Sequence, residues 1–326
     1  MRILIIGGTR FVGRHITEAA LAAGHEVSLL HRGRTGPGLF PEAEHLIADR
    51  DTGLAILGGR AWDATIDVSA YLPSQIDALA DAVAGPAGGG GYVFVSTTAV
   101  YARDQKPGFT EDAPLVETGG PVPETVTSET YGPLKVLCER TAAERFGPGT
   151  LVVRPTYVIG PHDYTGRFTY WVNRIARGGE VLAPGDPSAA IQVIDGRDMA
   201  SWIVAMAGRG SGGTFHAVSP PPPFTFGDML EQIAAEVAPP GTTLTWVDAD
   251  FLHAEGQDGR SLPLWAGGGD TSANTADPSA ARAAGLDPRP FRQSVREIRA
   301  AEADYAVETT ITPEREAEIL SAWHAR

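Results

Sequence analysis

Residues 2–13 read RILIIGGTRFVG, an apolar run ending at Ile6, two glycines, and then the start of a stretch with helical spacing. Arg2 to Ile6 reads as a strand buried on both faces. Phe11 to Ala23 reads as a helix with Phe11, Val12, Ile16, Ala19 and Ala20 on one side and Gly24 suited to the left-handed closing position. A glycine turn between such a strand and helix lets backbone N–H groups and the helix N-terminus approach a pyrophosphate. Gly7, Thr9, Arg10, Phe11, Val12 and Gly13 are therefore candidate contacts. The spacing GxxGxxG would place glycines at 7, 10 and 13, and this chain carries Arg10 in the middle.

Outward from that stretch the pattern repeats. Glu26 to Leu30, His45 to Ala48, Ala64 to Val68, Tyr92 to Ser96 and Leu151 to Arg154 read as further doubly buried strands, and Ser74 to Ala84 as a helix stopped by Gly85-Pro86. Strands alternating with helices predict an α/β fold with a parallel sheet covered by helices. After about residue 155 proline and glycine clusters interrupt the pattern, which divides the chain into a first domain over 1–159 and a second lobe over 160–326. Ile191 to Ala207 reads as strand then helix, so the chain is expected to return to the first domain at 191–207. Glu314 to Ala325 reads as a final helix.

Composition narrows the partners. The 326 residues carry 26 basic and 40 acidic side chains, a formal charge of -14, which repels a phosphate backbone and anionic lipid. A small-molecule substrate is expected, with no nucleic-acid and no membrane partner, on a monomer or homodimer. One cysteine, Cys138, allows no internal disulfide and no CxxC pair, and it reads as a packing residue. No apolar run approaches the ~18 residues of a membrane span, and the first is too short for a signal-peptide core. A cytoplasmic chain is expected. His162-Asp163 and His253 with Glu255 lack a third ligand at sensible spacing, so no metal is expected.

The chemistry concentrates at three places. After the second strand stands His31-Arg32-Gly33-Arg34, where a carboxylate would accept from a ribose 2′-OH; two guanidinium groups instead suit a 2′-phosphate. NADP(H) is favoured on that ground, with NAD(H) as the alternative. Asp49-Arg50, after the third strand, would sit near the adenine. Tyr131-Gly132-Pro133-Leu134-Lys135 opens a helix, and a spacing of four puts Tyr131 and Lys135 on one face. An ammonium beside a phenol stabilises the phenolate, as a proton donor to a carbonyl requires. The chain has two lysines, Lys106 and Lys135, and one of them falls here. Val95-Ser96-Thr97-Thr98-Ala99-Val100-Tyr101 brings hydroxyls to the carboxyl end of a central strand, and Thr97 is the third candidate.

GGTRFVG, STTAVY, YGPLK and RPTYVIGP (Arg154 to Pro161), in this order, resemble the extended short-chain dehydrogenase/reductase family of NAD-dependent epimerases and dehydratases. The resemblance covers about residues 1 to 200. It implies a doubly wound sheet of Rossmann type binding NAD(P), with a smaller C-terminal lobe that supplies the substrate pocket. It also implies Tyr131 as acid/base, Lys135 on the nicotinamide ribose and Thr97 on the substrate oxygen. Pro155, Thr156, Tyr157 and Val158 would pass beside the nicotinamide, with Ser69 and Ala70 as further cofactor contacts. Thr98, Tyr101, Tyr157 and Trp171 are the candidate substrate contacts. Dehydratases of the family carry an Asp-Glu pair after the threonine, where this chain has Thr98-Ala99, and no arginine lies between Gly185 and Val193 to meet a nucleotide diphosphate. An NADP(H)-dependent oxidoreductase is the leading expectation. A redox-neutral epimerase retaining NAD, and a non-enzymatic NADP-sensing or RNA-binding relative, are the alternatives.

Overall fold

The computed structural model describes residues 1–36, 38–83, 91–301 and 310–326. They form two units, one of Met1–Val158, Val193–Ser219 and Ala276–Pro288, the other of Ile159–Gln192, Pro220–Thr275 and Arg289–Arg326.

The first unit begins with β1 (Arg2–Ile6), α1 (Phe11–Ala22), β2 (Glu26–His31), β3 (Glu44–Ile47), β4 (Ala64–Asp67), α2 (Pro73–Ala82), β5 (Gly91–Val95), α3 (Ser128–Phe146) and β6 (Leu151–Pro155). The chain continues through β7 (Tyr157–Ile159), α4 (Arg167–Ala176), β8 (Glu180–Pro184), β9 (Val193–Asp195), α5 (Gly196–Arg209), β10 (Gly213–Ala217), α6 (Phe226–Val237), β11 (Thr243–Val247), α7 (Ala249–Ala254), α8 (Ser279–Ala283), α9 (Phe291–Ala300) and α10 (Pro313–His324). Seven strands pair in the order β10-β6-β5-β4-β1-β2-β3, every neighbour parallel.

Alternation along β1 shows why the sheet is doubly wound. Ile3 and Ile5 point into a core with Ile16 of α1 and Met199 and Ile203 of α5, whereas Leu4 and Ile6 point into another with Ile76 and Leu79 of α2 and Cys138 of α3. The expected α/β fold is present, and six of its strands lie within a residue or so of where the sequence placed them. The seventh, β10, is an addition. It has a neighbour on one side alone and reads Gly-Thr-Phe-His-Ala, too polar to announce itself. The return to the first unit runs over Val193–Ser219 and so takes in β10. A second return, Ala276–Pro288, lies in what the sequence assigned to the lobe; Ala281 and Leu286 bury in the core beside α5.

Two element boundaries moved for identifiable reasons. α3 starts at Ser128 and not at Tyr131, because Thr127 accepts from the Thr130 amide at 3.3 Å and caps the helix a turn earlier. α2 ends at Ala82; the expected stop at Gly85-Pro86 lies outside the described residues.

In the second unit β8 pairs with β11, and α4, α6 and α9 pack around Trp171, Phe168 and Phe226. A buried ion pair, Arg174 Nε to Glu316 at 2.6 Å, ties α4 to α10, and the same carboxylate accepts from the Leu182 amide of β8 at 3.0 Å. Among the described residues no helix is long and apolar enough to cross a membrane, and no group of three His, Cys, Asp or Glu side chains could hold a metal ion.

Candidate active site

Strand order in the sheet reverses between β1 and β4, and open α/β sheets bind ligands outside the carboxyl ends of strands at such a point. The turns leaving the two strands abut there. A Cβ on Gly7 (φ +88) would lie 3.1 Å from Val68 Cγ2 and 3.2 Å from Ser69 Oγ. One on Gly13 would lie 2.0 Å from the Gly7 carbonyl oxygen, so this glycine is what lets α1 start on top of β1. Arg10, where the spacing asks for glycine, has φ -135 and ψ 133, an extended conformation open to any residue; the positive φ falls on Phe11 instead, at 38. Arg10 is thus no obstacle to the turn. It stands at the N-cap of α1 and gives no side-chain cap, and the first helical turn holds no acidic residue, so the positive end of the helix dipole is not offset by a carboxylate of that turn.

After β2 the four residues separate. Arg32 and Arg34 are exposed, and neither guanidinium has a partner among the described residues. His31 corrects its expected role. It is buried at 8% exposure, and its ring bonds inward, Nε2 to His45 Nδ1 at 2.8 Å, with Nδ1 accepting from the Gly33 amide at 3.1 Å. Both ring nitrogens are occupied, so His31 cannot face a ligand.

Arg50 is also engaged within the protein. It grips the fully buried Asp67 with two bonds of 2.9 Å and donates to Ser69 Oγ at 3.1 Å and the Gln75 carbonyl at 3.2 Å; its buried Nε has no partner. Asp67 further accepts from the Ser69 and Ala70 amides at 3.0 Å each and from the Tyr92 hydroxyl at 3.1 Å. Burial would push the Asp67 carboxyl up, but Arg50 and the backbone donors outweigh it and hold it below the usual range. The pair therefore shapes the turn through Ser69 and Ala70 from beneath. Asp67 had no place in the sequence reading, although a carboxylate closing an apolar strand signals a buried partner. Asp49 is half-buried and caps its own turn, accepting from the Asp51 amide at 2.9 Å.

Lys135 lies beside that turn. Its Nζ donates to the Val95 carbonyl at 2.7 Å and the Ala70 carbonyl at 3.1 Å, 4.1 Å from the ring centre of Phe94 and 5.5 Å from that of Tyr71. Burial pushes its pKa down to about 8, against the opposing pull of Cys138, Asp67 and Glu139. One turn earlier on α3, Tyr131 is half-buried with its ring 6.2 Å from that of Tyr71. Thr97, half-buried at the end of β5, accepts from the Ala99 amide at 3.1 Å. Gly132 brings the two segments together, since a Cβ there would lie 2.3 Å from the Ala99 carbonyl oxygen. At the end of β6, Thr156 Oγ1 is buried without a hydrogen-bond partner among the described residues. Pro155 is buried, and Tyr157 and Val158 are half-buried.

Three expected substrate contacts are core residues. Thr98 is 6% exposed. Tyr101 is 4% exposed, its hydroxyl held by Arg154 Nη1 at 2.6 Å and His216 Nε2 at 2.5 Å, and burial pushes its phenol up to about 12. Arg154 continues to Glu139 of α3, which also takes the Ser96 hydroxyl at 2.5 Å. Trp171 is fully buried in the second unit, with its indole N–H on the Pro263 carbonyl at 2.6 Å. Cys138 is buried with its thiol pushed up to about 12, consistent with packing.

The chain resembles known proteins over overlapping stretches. It is 23% identical over 225 residues to the chloroplast stem-loop binding protein of 41 kDa b of Arabidopsis thaliana, covering 64% of this chain and 55% of that protein. It is 34% identical over 84 residues to the bifunctional pinoresinol-lariciresinol reductase of Forsythia intermedia, 26% of each. The chain thus spans about half the length of the first of these relatives and a quarter of the second. Its fold matches the UDP-glucuronic acid 4-epimerase of Bacillus cereus, solved with NAD, at a TM-score of 0.66, 16% identity, 94% of this chain and 100% of that one. Residues 76–217, which run from α2 through Thr97, Tyr131 and Lys135 to the end of β10, match the model of the NAD dependent epimerase/dehydratase family.

Proposed function

We propose that the protein is an NADP(H)-dependent oxidoreductase acting at a carbonyl or hydroxyl carbon of a small molecule. The observation that carries the reading is Lys135, an ammonium buried one helical turn from Tyr131 and, among the described residues, bonded only to neutral carbonyls. A buried ammonium with no carboxylate in contact is costly, and a neighbouring phenolate is the charge it would favour. When bound, the nicotinamide ring supplies or accepts the hydride.

The residues fit such a group. The uncapped N-terminus of α1 and the turn of Gly7, Thr9, Arg10, Phe11, Val12 and Gly13 would take the pyrophosphate, Ser69 and Ala70 the facing side, and Thr156 with its hydroxyl the nicotinamide end beside Pro155, Tyr157 and Val158. Arg32 and Arg34 would hold a 2′-phosphate. Tyr131 would pass its phenolic proton to the carbonyl oxygen during reduction and recover one during oxidation. Thr97 would donate a hydrogen bond to the same oxygen and orient it. Lys135 would keep the phenol acidic and touch the ribose.

The test is to denature the purified protein, identify what it releases by absorbance and mass, and then titrate NADPH and NADH. Protein that emerges without stoichiometric NAD and binds NADPH more tightly supports the reading. Stoichiometric NAD, with a melting shift on UDP or dTDP at low millimolar concentration, replaces it with the epimerase.

A further inference from the structure

We infer that His31 and His45 are positioning residues that set the preference for a 2′-phosphorylated dinucleotide by fastening the segment that follows Arg32 and carries Arg34; the inference rests on the NADP(H) reading above. A backbone amide can only donate, so the 3.1 Å bond from Gly33 makes His31 Nδ1 an acceptor and puts the ring proton on Nε2. That proton faces His45 Nδ1 at 2.8 Å, which makes His45 Nδ1 an acceptor in turn. The second proton then sits on His45 Nε2, 3.1 Å from the Phe40 carbonyl oxygen. One polarity runs through two neutral rings, from an amide at one end of the segment to a carbonyl at the other.

Between these ends the described residues make local contacts. Leu39 donates to the Gly36 carbonyl at 3.0 Å and Ala43 to the Phe40 carbonyl at 2.9 Å, while a Cβ on Gly36 (φ +58) would lie 3.6 Å from the Thr9 carbonyl oxygen. The two imidazoles therefore hold Gly33 and Phe40, and between them Gly36 stands against the glycine turn. Arg32 and Arg34 have no side-chain partner among the described residues, so the backbone that the relay holds is what fixes where they start. Two guanidinium groups meet one phosphate well only from a prepared backbone, because ordering it on binding costs affinity. NADH, which lacks the 2′-phosphate, gains little from that preparation.

Dissociation constants for NADPH and NADH are measured on the parent, Arg32→Ala, His45→Phe, His45→Gln and the Arg32→Ala/His45→Phe pair. His45→Phe keeps a ring but neither bond, and it should weaken NADPH by about 10-fold and NADH by less than about 2-fold. Glutamine offers one acceptor and one donor, so His45→Gln should recover most of the loss. The double variant should lose less than the sum of the singles, because both act on one phosphate contact. Unchanged NADPH binding in His45→Phe, equal losses for both cofactors, or strict additivity overturns the inference. If Arg32→Ala lowers NADPH affinity and His45→Phe does not, the relay alone fails; if Arg32→Ala leaves the cofactor ratio unchanged, the NADP(H) reading fails and the relay with it. Should His45→Phe not fold, ring-nitrogen resonances of the parent decide. Protons on Nε2 of both histidines, with shifts on adding NADPH and not NADH, are expected; another tautomer or equal shifts overturn it.

Discussion

Gly132 and Ala99 meet where no side chain fits between them: a Cβ on residue 132 would lie 2.3 Å from the Ala99 carbonyl oxygen. The helix bearing Tyr131 and Lys135 and the turn bearing Thr97 are therefore in backbone contact. Glycine at an internal helical position costs about 1 kcal/mol relative to alanine, so on propensity alone Gly132→Ala would stabilise α3. The clash reverses the sign. Overpacking of a fixed backbone contact costs ~1–3 kcal/mol, and Gly132→Ala should unfold at lower urea than the parent, by a net of up to about 2 kcal/mol. An equal or higher midpoint would show that the contact gives way freely.

Tyr131→Phe removes one oxygen and leaves the ring that stands 6.2 Å from Tyr71. The melting temperature and NADPH affinity should stay close to those of the parent, while turnover falls by ~100-fold or more, the usual scale for a positioned acid/base group. NADPH oxidation against a panel of aldehydes and ketones, followed by absorbance, measures it. Parental turnover in the variant would remove Tyr131 from the chemistry.

Asp67 and Arg50 form a buried pair whose partners cannot be removed singly without cost. Asp67→Asn leaves Arg50 charged and buried, which should lower the unfolding free energy by about 3–5 kcal/mol. Arg50→Met in that background takes the stranded charge away, so the double variant should be more stable than Asp67→Asn alone. The acid behaviour has a definite sign. Asp67 titrates lower in the fold than its ordinary 3.8, so its contribution is complete above that value and is lost as pH falls through the folded pKa. Urea titrations of parent and Asp67→Asn should converge as the pH is lowered below about 4, and parallel curves would count against the pairing.

How much of this was legible before the structure depended on what each residue's surroundings leave open. Ile3 to Ile6 reads as a doubly buried strand beside a glycine turn, a parallel sheet covered by helices follows from five more such runs, and the family resemblance implies its double winding. β10 escaped because an edge strand needs just one apolar side, and its Thr214 and His216 do not look buried. Residue type misleads where one side chain has two good uses. Tyr101 and Trp171 are as content in a core as against a ligand, and an imidazole such as His31 bonds equally well inward. Arg50 suits a ligand near the adenine as well as a buried carboxylate, and its partner, Asp67, was visible only as an odd ending to an apolar strand. Gly132 reads as a gap in helix propensity until the Ala99 carbonyl is known to stand against it.

Lys135 gives the last prediction, because its charge and its burial are in direct conflict. Its pKa falls from 10.5 to about 8 on burial, so below pH 8 the fold carries the full cost of an enclosed ammonium, and that cost is relieved as pH rises toward 10.5. The parent should gain stability between these limits relative to Lys135→Met, by an amount of the order of 3 kcal/mol. Other groups that titrate in this range cancel in the difference between the two proteins. Urea titrations at pH 7.5, 9 and 10.5 measure it, and a difference that does not change with pH would mean that Lys135 keeps an ordinary pKa. If Tyr131 is the acid/base group proposed above, the ammonium that favours its ionised form is lost as Lys135 deprotonates. Turnover should therefore decline on the alkaline side with an apparent pKa near 8, whereas cofactor-free unfolding shows the opposite slope.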